Sequence, residues 1–148
     1  MATRSFELSA TIPVDASDVI EFMSDLNRHR GFHPYYHHAE IVGSGSGLGG
    51  PWIDWSVVER PKFGPFRYTI RFPTRMLRSS VTSLVATVRA APGCSLVSTY
   101  QAEPTEGGCI LSEASVITAP AFLVGYMTSQ ARLAHSRTFS VLPARLVV

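Results

Sequence analysis

Apolar and polar residues alternate along several stretches of the chain, and this period of two is typical of half-buried β-strands. Between Arg4 and Ile12, every second residue from Phe6 onward is apolar. The clearest alternation runs from Phe66 to Phe72, where large apolar residues alternate with Arg and Thr. We therefore predict strands at 4–12, 39–43, 52–60, 66–72, 81–90, 94–101 and 109–118, with a glycine-serine loop at 43–51 and turns at 61–65, 91–93 and 104–108.

A period near 3.6 residues replaces this alternation in two places and predicts helices. Asp15 is a candidate N-cap for a short helix, because apolar residues follow at positions 19, 22, 23 and 26. Residues 27–36 contain a Gly and a Pro, so we expect at most a second short helix and a turn there. The stretch 119–142 predicts the long helix of the chain, with Pro120 in its first turn and Thr118 as a cap.

The long helix is predicted to be amphipathic, but its apolar face is interrupted. Gln130 and Arg137 fall on the inward side, with Tyr126 beside them, and such residues suit a partly polar cavity better than a dry core. An alternative stays open, in which Arg137 reaches the rim and Gln130 lies at the edge of the face. The predicted inward residues are Leu123, Met127, Ala134, Thr138 and Val141, and the predicted outward residues are Thr128, Arg132, His135 and Ser136.

The order of these elements predicts the architecture. One strand, two short helices, six consecutive strands and a long helix form an antiparallel meander with short connections. A sheet with one apolar face must be covered, and the long helix is the element available to cover it. We therefore predict one α+β domain spanning 1–148, in which a curved sheet wraps the helix and leaves a gap between them.

Composition narrows the possible functions. The chain has 13 basic and 11 acidic residues, and this near balance excludes the basic stripe of a nucleic-acid-binding protein. The sequence contains neither a signal peptide nor an apolar run long enough for stable membrane insertion, so we expect a cytoplasmic protein. Cys94 and Cys109 are predicted to lie at opposite ends of a strand pair, beyond the reach of a disulfide, and therefore to be reduced.

The order of elements also resembles the helix-grip fold of the START-like superfamily, which includes polyketide cyclases, dehydratases and lipid-transport proteins. The resemblance covers nearly the whole chain. It implies a curved seven-stranded antiparallel sheet around a long C-terminal helix, two short helices after the first strand, and a deep apolar cavity. The resemblance is carried by the strand-to-helix junction at 12–16, the second short helix at 25–34, which ends in Phe32-His33-Pro34, the turn at 91–93 and the loop at 106–108.

Two motifs suggest a dinucleotide site and a metal site, but the residues around each motif argue against that function. Residues 45–50 spell GxGxxG, but a Trp-rich strand follows them, whereas a dinucleotide site needs a helix there. His29, His33 and His37 have helical spacing, but the Gly and the Pro between them oppose a continuous helix, and a metal site needs three or four converging ligands. We expect no metal and no cofactor.

Strand alternation selects the residues predicted to line the cavity. Of the two Trp residues, Trp55 is the better interior candidate, because it alternates with Ile53 and Val57. Glu113 alternates with Leu111 and Ser115, which allows an inward acid, but an outward position is favoured because Glu is seldom buried. The predicted ligand-binding residues are Trp55, Tyr68, Ile70, Phe72, Tyr100, Leu123, Tyr126, Met127, Gln130 and Arg137, and an amphipathic entrance is predicted from Phe32, His33, Tyr35 and Tyr36.

Two functional hypotheses follow. The first is binding of an apolar small molecule, such as a lipid or a polyketide-like ring, in a cavity with a few polar groups. The second is an aromatase/cyclase- or dehydratase-type enzyme acting on a poly-ketone, with Tyr68, Tyr126, His33 or Glu113 as its acid or base. The sequence shows no nucleophile motif and no diagnostic acid pair, so the binding hypothesis is favoured.

Overall fold

The alternating stretches pair into one seven-stranded antiparallel sheet in a computed structural model that describes residues 1–146. The strands are β1 (Ala2–Ile12), β2 (Tyr36–Gly47), β3 (Gly50–Glu59), β4 (Lys62–Phe63), β5 (Phe66–Arg67), β6 (Ile70–Ser80), β7 (Ser83–Ala91), β8 (Cys94–Thr105) and β9 (Gly108–Ala119). The strand order in the sheet is β1-β9-β8-β7-β6-β3-β2, so all neighbours except β1 and β9 are close in sequence. A short hairpin, β4 and β5, lies outside this sheet.

Two helices and one 3₁₀ turn complete the fold. Helix α1 (Ala16–Ser24) and the 3₁₀ turn (Leu26–Arg28) follow β1, and α2 (Ala121–Arg145) follows β9. The predicted seven strands, two short helical segments and long C-terminal helix are therefore confirmed. Asp15 is the residue before α1 but its side chain makes no capping bond, and Pro120 takes that position before α2, so neither predicted side-chain cap forms.

Two strand predictions are wrong in their bounds. The glycine-serine stretch is not a loop: β2 continues to Gly47 and pairs with β3 up to a tight turn before Gly50. Backbone hydrogen bonds hold this pairing, and they do not depend on the side chains present. The stretch Phe66–Phe72 is not one strand either, because Phe66 belongs to the small hairpin and is 71% exposed, while β6 begins at Ile70.

Helix α2 packs on β1 and β9, and Ala134 and Thr138 of its predicted inward face are buried, but the faces predicted for two other residues are wrong. Its buried residues are Val124, Ala134, Thr138, Phe139 and Leu142. This phase brings His135 inward and leaves Arg137 exposed, so both predictions are corrected. The inward face was predicted from the apolar residues of the helix, whereas the helix also turns inward the polar residue His135, which has a partner, Glu113, on the sheet.

The main core lies at the C-terminal end of α2, where α1 covers the sheet. Ile12, Val19, Ile20, Leu111 and Leu142 are all fully buried there. The two cysteines are free, as predicted. Cys94 begins β8, whereas Cys109 on β9 pairs with Pro104 near the end of β8, so the two cysteines lie at opposite ends of this strand pair. Within residues 1–146, no helix is both long and apolar enough to cross a membrane.

Candidate functional site

Two adjoining chambers lie between the sheet and α2. The inner chamber has a volume of about 90 Å³ and the outer chamber about 300 Å³. They share part of their walls, and we call the shared residues the neck. The neck residues are His33, Glu59, Phe72, Val88, Leu96 and His135.

A buried acid–histidine pair joins α2 to β9 at this neck. The Nδ1 atom of His135 lies 2.5 Å from Oε2 of Glu113, whose side chain is fully buried. Glu113 Oε2 also accepts a hydrogen bond from the Ser115 hydroxyl, which lies 2.6 Å from the Ser98 hydroxyl on β8. The alternation of β9 places Glu113 and Ser115 on the same inward face, and α2 supplies the histidine above them.

Electrostatics favours the charged form of both partners. Burial raises the pKa of Glu113, but the charge of His135 and the hydrogen bonds from His135 and Ser115 outweigh burial and lower it overall. Burial lowers the pKa of His135, but the Glu113 carboxylate outweighs burial and raises it overall. Between the ordinary pKa values of 4.5 for Glu and 6.5 for His, the pair is therefore an imidazolium–carboxylate ion pair.

The ion pair also determines which atom of His135 can contact a bound molecule. Since Nδ1 is engaged by Glu113, Nε2 is the nitrogen that remains for a molecule in the chambers. The ring is held further by edge contacts with Phe6 and His33, each with ring centroids 5.9 Å apart. An oriented imidazole with a carboxylate behind it can act as a hydrogen-bond donor or as a general acid or base.

His33 and Glu59 form a second, uncharged contact at the neck. The backbone N–H of Tyr35 donates to His33 Nδ1, so the hydrogen of the neutral ring is on Nε2, which lies 3.5 Å from the Glu59 carboxyl. Burial and the nearby His135 charge lower the pKa of His33 to about 3. Burial raises the pKa of Glu59 to about 7, against the attraction of His135. This side of the neck therefore carries little charge below neutral pH.

Tyrosine hydroxyls form two hydrogen bonds between residues that line the outer chamber. Tyr35 donates to Gln130 of α2 over 3.0 Å, and the hydroxyls of Tyr68 and Tyr126 lie 3.1 Å apart. Burial and the Tyr126 hydroxyl raise the pKa of Tyr68 to about 12, so it stays neutral. Both Tyr68 and Tyr126 are more than one-third exposed, which places their pair at the mouth of the outer chamber.

The sequence matches neither a protein-family model nor a curated protein. Solved structures do share its fold. The Zhui aromatase/cyclase from Streptomyces sp. R1128 superposes over 95% of this chain and 92% of its own, with a TM-score of 0.73 and 12% identity. A START superfamily protein from Mycobacterium smegmatis covers 98% and 99%, with a TM-score of 0.71 and 10% identity. The chain has the START-like helix-grip fold.

Other proteins with this fold differ widely in sequence. Ara h 8.0201 superposes over 95% of this chain and 98% of its own, with a TM-score of 0.65 and 13% identity. The predicted helix-grip resemblance is therefore confirmed as a fold. At such identities the likeness does not define the chemistry, which must be derived from the residues of this helix-grip protein.

Most of the residues predicted to line the cavity reach the helix-grip chambers. Trp55 faces inward and is 1% exposed, but it lies in the core and lines neither chamber. Phe32 also packs against the core, and Arg137 is exposed and lines neither chamber. Tyr36 and Tyr100 line the inner chamber, Phe72 and His33 line both, and the outer chamber also receives Tyr35, Tyr68, Ile70, Leu123, Tyr126, Met127 and Gln130.

The sequence prediction missed the ion pair itself. Glu113 was expected to face outward and His135 to lie on the outer face of the helix, and both expectations are wrong. A signal was present, because Glu113 alternates with Leu111 and Ser115, which are buried. Only the register of α2 over β9 shows that a histidine compensates the buried acid.

Two polar atoms in the inner chamber lack partners. Within the described residues, neither Glu113 Oε1 nor Thr74 Oγ1 makes a hydrogen bond, and both are buried. Tyr100 lies opposite Glu113 in the β8–β9 register, and burial and that carboxylate raise its pKa well above its usual range. Residues 1–146 contain no cluster of three or more side chains suited to a metal ion.

Proposed function

We propose that this protein binds a small, largely apolar molecule between its sheet and α2. The observation that carries the proposal is the outer chamber, whose volume of about 300 Å³ is lined mainly by apolar side chains. Ligand sites are typically concave and apolar with a few fixed polar groups, and about 300 Å³ is the lower end of their usual size. The chamber therefore suits one or two fused rings better than a long lipid chain.

The polar groups at the neck support the same proposal. His135 and Gln130 line the outer chamber, and each is held by another side chain, Glu113 and Tyr35 respectively. Held polar groups lose little conformational entropy when a ligand binds. A molecule with an apolar ring and one polar end fits this arrangement.

Calorimetric titration with 2-naphthol, which has two rings and one hydroxyl, tests the proposal. Ala131→Trp fills the outer chamber from α2, and Ala144→Trp places the same side chain at an exposed position of the same helix. We expect binding by the wild type and by the Ala144 variant, and at least tenfold weaker binding by the Ala131 variant. Equal binding by both variants, or none by the wild type, would refute the proposal.

A second function, acid–base catalysis on a poly-ketone, is favoured by the buried His135–Glu113 ion pair. The imidazolium can protonate a hydroxyl that leaves as water, and the neutral imidazole then formed can take the proton lost from the adjacent carbon. Zhui is an aromatase/cyclase with the same fold. A linear poly-β-ketone surrogate would be cyclised or dehydrated faster than in buffer, and His135→Gln would abolish the gain. Turnover that survives in this variant would exclude His135 as the acid.

A further inference from the structure

The inner chamber contains an unused hydrogen-bond acceptor. Oε2 of Glu113 accepts from His135 and Ser115, whereas Oε1 is buried and no donor among the described residues lies within 3.5 Å of it in hydrogen-bonding geometry. The Tyr100 hydroxyl lies nearby and helps to lower the pKa of Glu113. An unsatisfied charged oxygen costs free energy on burial, on the order of 1–3 kcal/mol or more. Glu113 is one of the residues that line the inner chamber, so a donor placed in this chamber lies beside the carboxylate.

We infer that the inner chamber is a subsite for a neutral hydroxyl group of the ligand, which donates its hydrogen bond to Glu113 Oε1. The inference rests on the proposed binding function and adds the class of ligand, an aromatic or alicyclic alcohol. The molecule enters with its hydroxyl first, passes the neck and leaves its rings in the outer chamber. Thr74 Oγ1, the second unpartnered atom of this chamber, can accept or donate beside it.

The charges around the chambers exclude an acid as ligand. No Arg or Lys lines either chamber among the residues that the structure describes. The one cation at the neck, His135, is already neutralised by Glu113. A carboxylate would therefore be desolvated beside two glutamates with no cation of its own, which is strongly unfavourable.

The volume of the inner chamber limits what can occupy it. About 90 Å³ admits a hydroxyl and the adjoining edge of a ring, and it also admits water molecules. If water satisfied Oε1 permanently, a ligand hydroxyl would gain little over a group that cannot donate. The two cases therefore predict different ligand preferences.

Three ligands of similar shape separate these cases in calorimetric titrations of the wild-type protein. The ligands are 2-naphthol, 2-methoxynaphthalene, which cannot donate a hydrogen bond, and 2-naphthoate, which is an anion. We expect 2-naphthol to bind about 10- to 100-fold more tightly than the methyl ether, since bonds to charged acceptors are strong. We expect 2-naphthoate to bind at least about tenfold more weakly than 2-naphthol.

The outcome distinguishes this inference from the proposed function. If the ether binds as tightly as the alcohol, or 2-naphthoate binds best, the subsite is refuted while apolar binding stands. If none of the three binds, the proposed function fails as well. Glu113→Gln, checked for folding by circular dichroism, should reduce the preference for alcohol over ether to below about threefold. The exposed control Glu106→Gln should keep the wild-type preference, and loss of the preference in both variants would also contradict the inference.

Discussion

Replacing His135 with Leu removes the counter-charge of Glu113 and keeps a side chain of similar bulk. The carboxylate is 1% exposed, and its remaining partners are hydroxyl groups, those of Ser115, Ser98 and Tyr100. Two unit charges about 4 Å apart interact by about 4 kcal/mol at an effective dielectric constant of about 20. Breaking a buried pair by removing one partner costs about 3–5 kcal/mol, which agrees. We therefore expect His135→Leu to lower the free energy of unfolding by about 4 kcal/mol near pH 6.5.

The loss of unfolding free energy caused by His135→Leu should become smaller as the pH falls. In the wild type the pair contributes fully between the ordinary pKa values of 4.5 for Glu and 6.5 for His, because the pKa of Glu113 is lowered and that of His135 is raised. In His135→Leu only burial and hydroxyl donors act on Glu113, so its pKa rises and the folded protein takes up a proton as the pH falls. Each pH unit between the unfolded and folded pKa then restores about 1.4 kcal/mol.

Urea unfolding followed by far-ultraviolet circular dichroism measures the effect. The difference between wild type and variant should fall from about 4 kcal/mol at about pH 6.5 to about 2 kcal/mol at about pH 5. Adding Glu113→Gln to the variant should remove this pH dependence and recover part of the stability. A difference that stays constant or grows in acid would show that Glu113 and His135 are not an ion pair.

Two further substitutions test the fold and the neck. Gly108→Ala should lower the free energy of unfolding by more than about 2 kcal/mol, because φ at this residue is +154° and a Cβ would overlap the backbone that follows β1. Gly107→Ala is the matched control in the same urea assay, because a Cβ at Gly107 meets only open space. Glu59→Gln should raise stability by about 1–3 kcal/mol above about pH 7.5 and change little near pH 4, because a raised acid pKa costs stability as the pH rises toward it. Glu40→Gln, at an exposed site, should show no such trend, and a pH-independent effect of Glu59→Gln would contradict the argument.

The architecture could be predicted from the sequence because it depends on periodicity and order. Alternation from Phe6 to Ile12 and an uninterrupted final stretch define a strand and a helix before any tertiary contact is known. The bounds of β2 were harder to predict from the sequence, because Gly43–Gly47 lacks the side-chain pattern of a strand and is held by pairing with β3. Backbone pairing of this kind is decided by the partner strand.

The candidate site was only partly accessible for a different reason. Ile70, Phe72 and Gln130 were predicted as cavity residues from their own strand or helix, and the structure places them on the chamber walls. The pair of Glu113 and His135 depends on two elements at once. Each residue alone is costly to bury, so single-element reasoning places both outside, and only their 2.5 Å contact reverses the balance.

The two ends of α2 are fastened unequally. Thr138 donates to the carbonyl of Phe32 over 3.1 Å, and Arg145 donates to the carbonyl of Gly31 and lies over the Phe32 ring. These contacts tie the C-terminal half of α2 to the segment after α1. Toward the N-terminal half, the side wall is bridged by the two hydroxyls of Tyr68 and Tyr126. Separating those hydroxyls breaks a solvent-accessible hydrogen bond, whereas loosening the other end disrupts the core. If the protein binds a ligand as proposed, we expect the rate of ligand exchange to depend on how often the Tyr68 and Tyr126 hydroxyls separate.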